Sequence, residues 1–228
     1  MDGSAGVRSF RTPEIQRLDA FVDAAFAFAV SLLIIAGAEP LQSFADLARA
    51  LARIPAFACG FALIALFWLA HRTWSRLTPV RTGWTTFLSL TVVFAVLVFV
   101  FPLRLLTETA THYISGGLLP GGRLMSGLTD LRWTYVIYGA GFAILSGLNA
   151  ALFAHAACAL RDGDPAARRA GLQWAGTWTI ATATGLISAL IAATPLLRLA
   201  PWLPGVIYNL IPLGVAVITL RKRRAVAA

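Results

Sequence analysis

Six long runs of apolar residues, separated by short polar segments, dominate the hydrophobic pattern of the chain. Each run is close to the roughly 20 residues that an α-helix needs to cross the hydrocarbon core of a bilayer. The runs extend over about 18–38, 54–75, 84–106, 133–160, 172–194 and 202–220. This pattern predicts an all-α, polytopic membrane protein whose six transmembrane helices form a single domain over residues 1–228.

The composition supports a membrane class and excludes several others. Apolar residues make up 58% of the chain and charged residues 13%, against about 45–50% and about 25% in soluble globular domains. So few charged side chains cannot coat a soluble globule, which argues against a standard soluble enzyme and against a disordered chain. We therefore expect the lipid bilayer to surround this protein.

The net charge of +9 comes mainly from arginines, and these lie between the apolar runs. This distribution is typical of membrane loops and not of a nucleic-acid-binding face, so no nucleic-acid partner is expected. With the N-terminus inside, alternate loops carry 13 basic residues on that side and six on the other. The bias predicts a multi-pass protein of the inner (plasma) membrane with both termini cytoplasmic.

Three further segments carry local signals. The apolar spacing of 41–53 predicts a short interfacial helix on the outer surface. Ala36-Gly37-Ala38 is similar to a signal-peptide cleavage site, but Asp19 and Asp23 lie where the n- and h-regions would be, so we expect no cleavage. Small residues are frequent in the fourth and fifth runs and favour close helix approach in lipid. They include Gly139, Gly141, Gly147, Ala150, Gly176, Ala181, Ala183 and Gly185.

Ionisable residues inside predicted spans are candidates for function, because they are costly in lipid. Asp23, His71 and His155 lie near the cytoplasmic ends of their runs, and Arg17 lies close to Asp23 in sequence. Arg17, Asp23 and His71 are predicted to form one polar network between helices. Three interpretations stay open: a hydrogen-bonded staple, a proton or ion relay, and a haem held by His71 and His155. No catalytic or metal-binding motif is present, so we expect no enzyme, no metal site and no cofactor.

The first run contains a stripe of bulky side chains at helical spacing. Phe28, Leu32 and Ile35 fall at i, i+4 and i+7, and Ser31 is the only hydroxyl in the middle of the run. Such a stripe is typical of ordinary helix packing. The alternative is a hydrophobic constriction in a narrow pore, which would gate ions by dewetting.

Residues 17–33, read as RLDAFVDAAFAFAVSLL, resemble the first-helix signature of the prokaryotic TMEM175 potassium channels. That signature is approximately R-x3-FSD-G-x-F-A-I-A-x-T-L-L. Phe67-Trp68, His71 and Trp74 are similar to the aromatic-W-x-x-H pattern of the family's second helix. Trp84 and Pro102 match the start and end of its third helix, so the resemblance covers about residues 17–107 well.

The resemblance implies a six-helix protomer that assembles as a homotetramer, with the first helix lining a central potassium pore. It implies a pore constriction at Phe28, Leu32 and Ile35, and a selectivity role for Ser31 in place of the family's threonine. It also aligns the family's FSD motif with Phe21, Val22 and Asp23. In the family this triplet, together with the residues aligned with Arg17 and His71, forms an inter-helix network near the cytoplasmic mouth.

Several departures from the family pattern affect these expectations. Val22 replaces a serine, Ala24 a glycine and Phe28 a smaller aliphatic residue, and Thr85 or Thr86 stands where asparagine is usual. Our interpretation is a potassium-permeable cation channel with a hydrophobic constriction. The alternatives are a proton-coupled secondary transporter, suggested by the breaks at Pro204 and Pro212, and a non-conducting membrane scaffold.

Overall fold

The computed structural model describes residues 13–36, 40–78, 81–121, 127–212 and 214. Within these ranges the chain is helical and contains no β-strand. The helices in chain order are α1 (Pro13–Ile35), α2 (Phe44–Leu51), α3 (Ile54–Leu77), α4 (Gly83–Ile114), α5 (Leu128–Ala159), α6 (Pro165–Ala193), α7 (Leu196–Leu199) and α8 (Leu203–Val206), and α8 continues into a 3₁₀ turn at Ile207–Asn209.

Five of the described helices, α1, α3, α4, α5 and α6, are long and apolar enough to cross a membrane. They correspond to the first five predicted spans, so the all-α, polytopic prediction is confirmed. The predicted sixth span, 202–220, begins with the apolar helical segment Leu203–Pro212. Residues 213 and 215–220 of that span lie outside the described residues.

Several helices, including α4 and α5, extend beyond the apolar runs that predicted them. The third span was expected to end at 106, but α4 continues through Pro102 to Ile114. The added turns are held by polar groups that suit a helix: Arg104 and Glu108 form an i,i+4 ion pair at 2.7 Å. In the same way α5 begins at Leu128, earlier than the predicted 133.

Helices α2, α4 and α6 begin at capping residues that bind otherwise unpaired backbone N–H groups. Thr82 and Thr85 form a reciprocal capping box at the start of α4. Asp164 accepts a hydrogen bond from the Ala166 N–H at 2.8 Å, just ahead of α6. Ser43 caps α2, which confirms the helix predicted within 41–53, and its hydroxyl bond holds the pKa of Asp46 below the usual value.

The helices form two layers around a common core. α1 packs against α3 and α4, and α5 makes the most extensive contact of the fold, with α6. Phe67 of α3 joins the layers, because its ring contacts those of Phe99, Phe142 and Trp178. α1 is therefore at the side of the protomer away from the α5–α6 pair.

Candidate functional site

One face of α1 is packed into the protomer and the opposite face is not. Val22, Phe26, Ala29 and Leu33 are buried against α3 and α4. The exposed face carries a line of residues spaced alternately three and four apart. This outward stripe consists of Phe21, Ala24, Phe28, Ser31 and Ile35. About half of the first spanning helix thus has no protein partner among the residues that the structure describes.

The predicted constriction residues divide between these two environments. Phe28 is 55% exposed and Ile35 is 63% exposed, so both belong to the outward stripe. Leu32 is half-buried and packs against the core of its own protomer. Ser31, the selectivity candidate, is exposed, and its hydroxyl donates to the Ala27 carbonyl at 3.2 Å.

The N-terminal half of α1 is attached to α3 by hydrogen bonds that two of its aspartates accept. Trp68 Nε1 donates to Asp23 Oδ1 at 2.7 Å. One turn earlier, Ser75 Oγ donates to Asp19 Oδ2 at 2.6 Å. Both bonds join positions that repeat every three or four residues along their helices, so they hold α1 and α3 in a fixed register.

Arg81, in the segment between α3 and α4, completes this attachment. Its guanidinium donates to Ser75 Oγ at 2.7 Å and to the Thr78 carbonyl at 2.8 Å, and forms an ion pair with Asp19 at 3.4 Å. The guanidinium carbon also lies 4.4 Å from the ring centroid of Trp74. The two ion-pair side chains are only 10% and 17% exposed, so solvent screens them weakly.

His71 of α3 takes part through α4 and not through α1. Its Nε2 and Ser89 Oγ are hydrogen-bonded at 3.0 Å, and both residues are buried. Ser89 therefore links the third spanning helix to the same group of polar side chains. His155 lies on α5, half-buried, and its Nε2 has no hydrogen-bond partner among the residues that the structure describes.

The polar network thus has a different membership from the predicted one. Asp23 and His71 belong to it and line one cavity of about 280 Å³, together with Asp19, Arg72, Ser75 and Arg76. Arg17 is exposed. The arginine that contacts an aspartate of α1 is Arg81.

Four members of the polar network were not predicted from the sequence: Asp19, Ser75, Arg81 and Ser89. A usable signal existed for two of them, because Asp19 precedes Asp23 by four residues and Ser75 follows His71 by four. Each pair shares a helix face, and the two faces meet. No comparable spacing marks Arg81 or Ser89.

The motif residues Phe21 and Val22 lie on different faces. Phe21 is exposed on the outward stripe, and Val22 is completely buried in the apolar core. The aliphatic side chain of Val22 therefore suits its apolar surroundings. The site can hold α1 firmly at its first half while presenting a continuous apolar face along its second half.

The fold and this site define a multi-pass, all-helical membrane protein with a half-uncovered first helix. Residues 17–102 match the sequence model of the family described as "Endosomal/lysosomal potassium channel TMEM175". A protein named "Potassium channel" from Marivirga tractuosa is 31% identical over 108 residues. That match covers 47% of this chain and 43% of the relative, so the chain spans less than half the length of the curated relative it matches.

Two solved structures share the fold. A crystal structure of a variant of the potassium channel MtTMEM175, in complex with a nanobody–MBP fusion protein, aligns with a TM-score of 0.76 and 21% identity. It covers 98% of this chain and 99% of that one. A lysosomal potassium-selective channel TMEM175 homolog from Chamaesiphon minutus aligns with a TM-score of 0.54 and 22% identity, over 90% of this chain and 98% of that one.

The match of residues 17–102 and the shared fold make this chain similar to the prokaryotic TMEM175 channels. The matched region includes all of the polar network and the whole outward stripe. The resemblance identified from the sequence is therefore confirmed.

Proposed function

We propose that this protein is a potassium-permeable cation channel, assembled as a homotetramer around a pore lined by α1. The observation that supports it most directly is the outward stripe of α1, which α3 and α4 leave uncovered. The names of the relatives give the ion: the Marivirga protein and both structural neighbours are called potassium channels.

The proposed barrier is apolar. Rings of Phe28 and Ile35, two helical turns and about 10 Å apart along the axis, would flank a ring of Ser31 hydroxyls. Leu32 would border the rings from the edge of the stripe. An apolar ring offers no oxygen to replace the hydration shell of an ion, so ions would pass only when the ring is wide enough to stay wet.

The polar network would serve this pore by fixing the position of α1. Because Asp19 and Asp23 are held by α3 and by Arg81, the first half of α1 has a defined depth and rotation in each protomer. That rotation determines which side chains of the second half face a common axis. Arg17, exposed one turn before Phe21, would extend the outward stripe toward the predicted cytoplasmic mouth of the pore.

The experiment is a potassium flux assay on the purified full chain in liposomes. Ile35→Asn would place a polar side chain on the proposed ring, and flux should rise about tenfold, as it would if the barrier fell by about 1.4 kcal/mol. Ile34→Asn is the matched control, because Ile34 is similarly exposed but lies about 100° around the helix. Its flux should stay within about twofold of the parent protein.

Four results would contradict the proposal. Equal flux from the Ile34 and Ile35 variants would remove the assignment of the stripe to the pore. If neither the parent protein nor the Phe28→Ala variant passed potassium, the protein would be a non-conducting scaffold. Flux that saturates and loses proton coupling in Asp23→Asn would indicate a transporter. Native mass spectrometry of the same preparation should give four protomers, and a stable monomer would refute the assembly.

A further inference from the structure

A second cavity, of about 880 Å³, lies between the end of α4, the start of α5 and the α7–α8 region. Its volume is within the roughly 300–1,000 Å³ of typical small-molecule sites. None of its described lining residues belongs to α1, so the cavity shares no side chain with the outward stripe. The proposed pore therefore does not use this cavity.

The cavity has a buried floor and an exposed, apolar rim. Tyr138 and Thr109 at the floor are buried, whereas Tyr113, Ile114 and Trp202 at the rim are exposed. In a membrane protein such a rim faces lipid or the interface, where aromatic side chains are favoured. A molecule could thus enter sideways from the bilayer.

The lining selects an uncharged occupant. No Asp, Glu, Lys or Arg is among the described residues that line the cavity. Burying a charged group there would leave it without a counter-charge, which is strongly unfavourable. Apolar and aromatic side chains form most of the wall, so an acyl chain or a similar hydrocarbon matches it.

Thr109 adds a polar requirement at the floor. Thr109 is only 4% exposed, and its hydroxyl has no hydrogen-bond partner within the described part of the chain. The neighbouring threonines differ, since Thr107 donates to the Arg104 carbonyl at 3.0 Å and Thr111 to the Thr107 carbonyl at 2.9 Å. An unpaired buried hydroxyl beside a cavity is satisfied when the occupant brings an acceptor, such as an ester carbonyl.

We infer that this cavity binds one uncharged, ester-bearing lipid per protomer, with its chain against the aromatic wall and its ester oxygen accepting from Thr109. Tyr135 supplies a second hydroxyl at the wall, where its ring packs on Gly205. A Cβ at Gly205 would stand 3.3 Å from the Tyr135 hydroxyl oxygen. The lack of a side chain there lets the α8 segment close one side of the site.

The test is native mass spectrometry of the full chain in detergent with two probes at equal concentration. Dioleoylglycerol is the neutral probe and dioleoylphosphatidylglycerol the anionic one. We expect one dioleoylglycerol per protomer, bound about tenfold more tightly than the anionic lipid. Ala110→Trp fills the cavity and should abolish this binding, whereas Ala154→Trp, on an exposed part of α5, should retain it.

A gentler pair of variants protects the test against misfolding of the tryptophan variant. Thr109→Val removes the hydroxyl at nearly constant volume and should weaken dioleoylglycerol binding about threefold to tenfold, the range expected for one hydrogen bond. Thr111→Val should leave it unchanged. Equal binding of both probes, no bound lipid, or binding that survives Ala110→Trp and Thr109→Val would overturn the inference. If a segment of this chain filled the cavity instead, no lipid would bind.

Discussion

The α5–α6 pair and α1 are both apolar spanning segments, but the protomer treats them in opposite ways. In the most apolar window of α5, 50% of the residues are buried inside the protein, against 22% in α1. At the α5–α6 crossing, a Cβ on Gly139 would stand 2.7 Å from the Gly185 carbonyl oxygen, and one on Gly185 would stand 2.8 Å from that of Gly139. The backbones themselves are in contact there.

This difference teaches where each helix finds its partners. Hydrophobicity does not drive helices together in lipid, so close association needs small residues or polar bonds. α5 and α6 use small residues along their crossing. α1 is held at one end by hydrogen bonds that Asp19 and Asp23 accept, and its outward stripe stays exposed. Within the chain α5 and α6 are held closely against each other, whereas the outward face of the second half of α1 stays exposed.

Of the three substitutions that test this contrast, the one that adds a methyl group at the α5–α6 crossing should have the largest effect. Gly139→Ala forces the two backbones apart, and we expect a loss of about 1–3 kcal/mol, the range found for overpacked cores. The apparent melting temperature of the purified protein in detergent measures it. Gly176→Ala on α6 is the matched control, because a Cβ there meets nothing within 4 Å. That variant should be unchanged or slightly more stable, since alanine favours the helix.

A smaller effect is expected where α1 is attached. Arg81→Gln removes the ion pair with Asp19 and the stacking on Trp74, and should lower stability by about 1–2 kcal/mol in the same melting assay. Arg49→Gln is the control, since its ion pair with Asp46 is exposed and such pairs contribute less than about 1 kcal/mol. Equal melting of the two variants would mean that the Arg81 contacts do not hold α1.

The smallest effect is expected on the outward stripe. Phe28→Ala should change the stability of the isolated protomer by less than about 0.5 kcal/mol, because the side chain has few partners within it. Phe26→Ala, two residues earlier but buried, should cost about 3–5 kcal/mol. Comparable losses in the two variants would show that the stripe is packed within the protomer, and would end the contrast between the two regions.

The sequence predicted the helices well because long apolar runs have few other solutions in a membrane. It misjudged several helix ends, for example where Glu108 of α4 and Asp130 of α5 lie beyond the apolar runs but are still helical. Hydropathy cannot separate a polar helical turn from a loop. The small residues at 139 and 185 were noted individually, but their mutual contact depends on the register between two helices, which no single run encodes.

The candidate site was predicted in part for a similar reason. Helical spacing was enough to place Phe28 and Ile35 on one face and to bring Asp23 near α3. Spacing alone could not show that Leu32 packs against the core of its own chain. Nor could it show that Trp68 donates a hydrogen bond to Asp23. Arg81 was beyond reach, because its position depends on how the segment after Leu77 turns back toward α1.

The alternating three- and four-residue spacing of the outward stripe has a geometric consequence. It averages 3.5 residues per turn, slightly less than the 3.6 of a straight α-helix. Helices that touch along such a seam stay in register only by coiling around one another left-handedly, crossing at about 20°. Neighbouring copies of α1 joined along this seam would form a twisted bundle, and tightening or loosening its winding would alter the separation of the Phe28 and Ile35 side chains together.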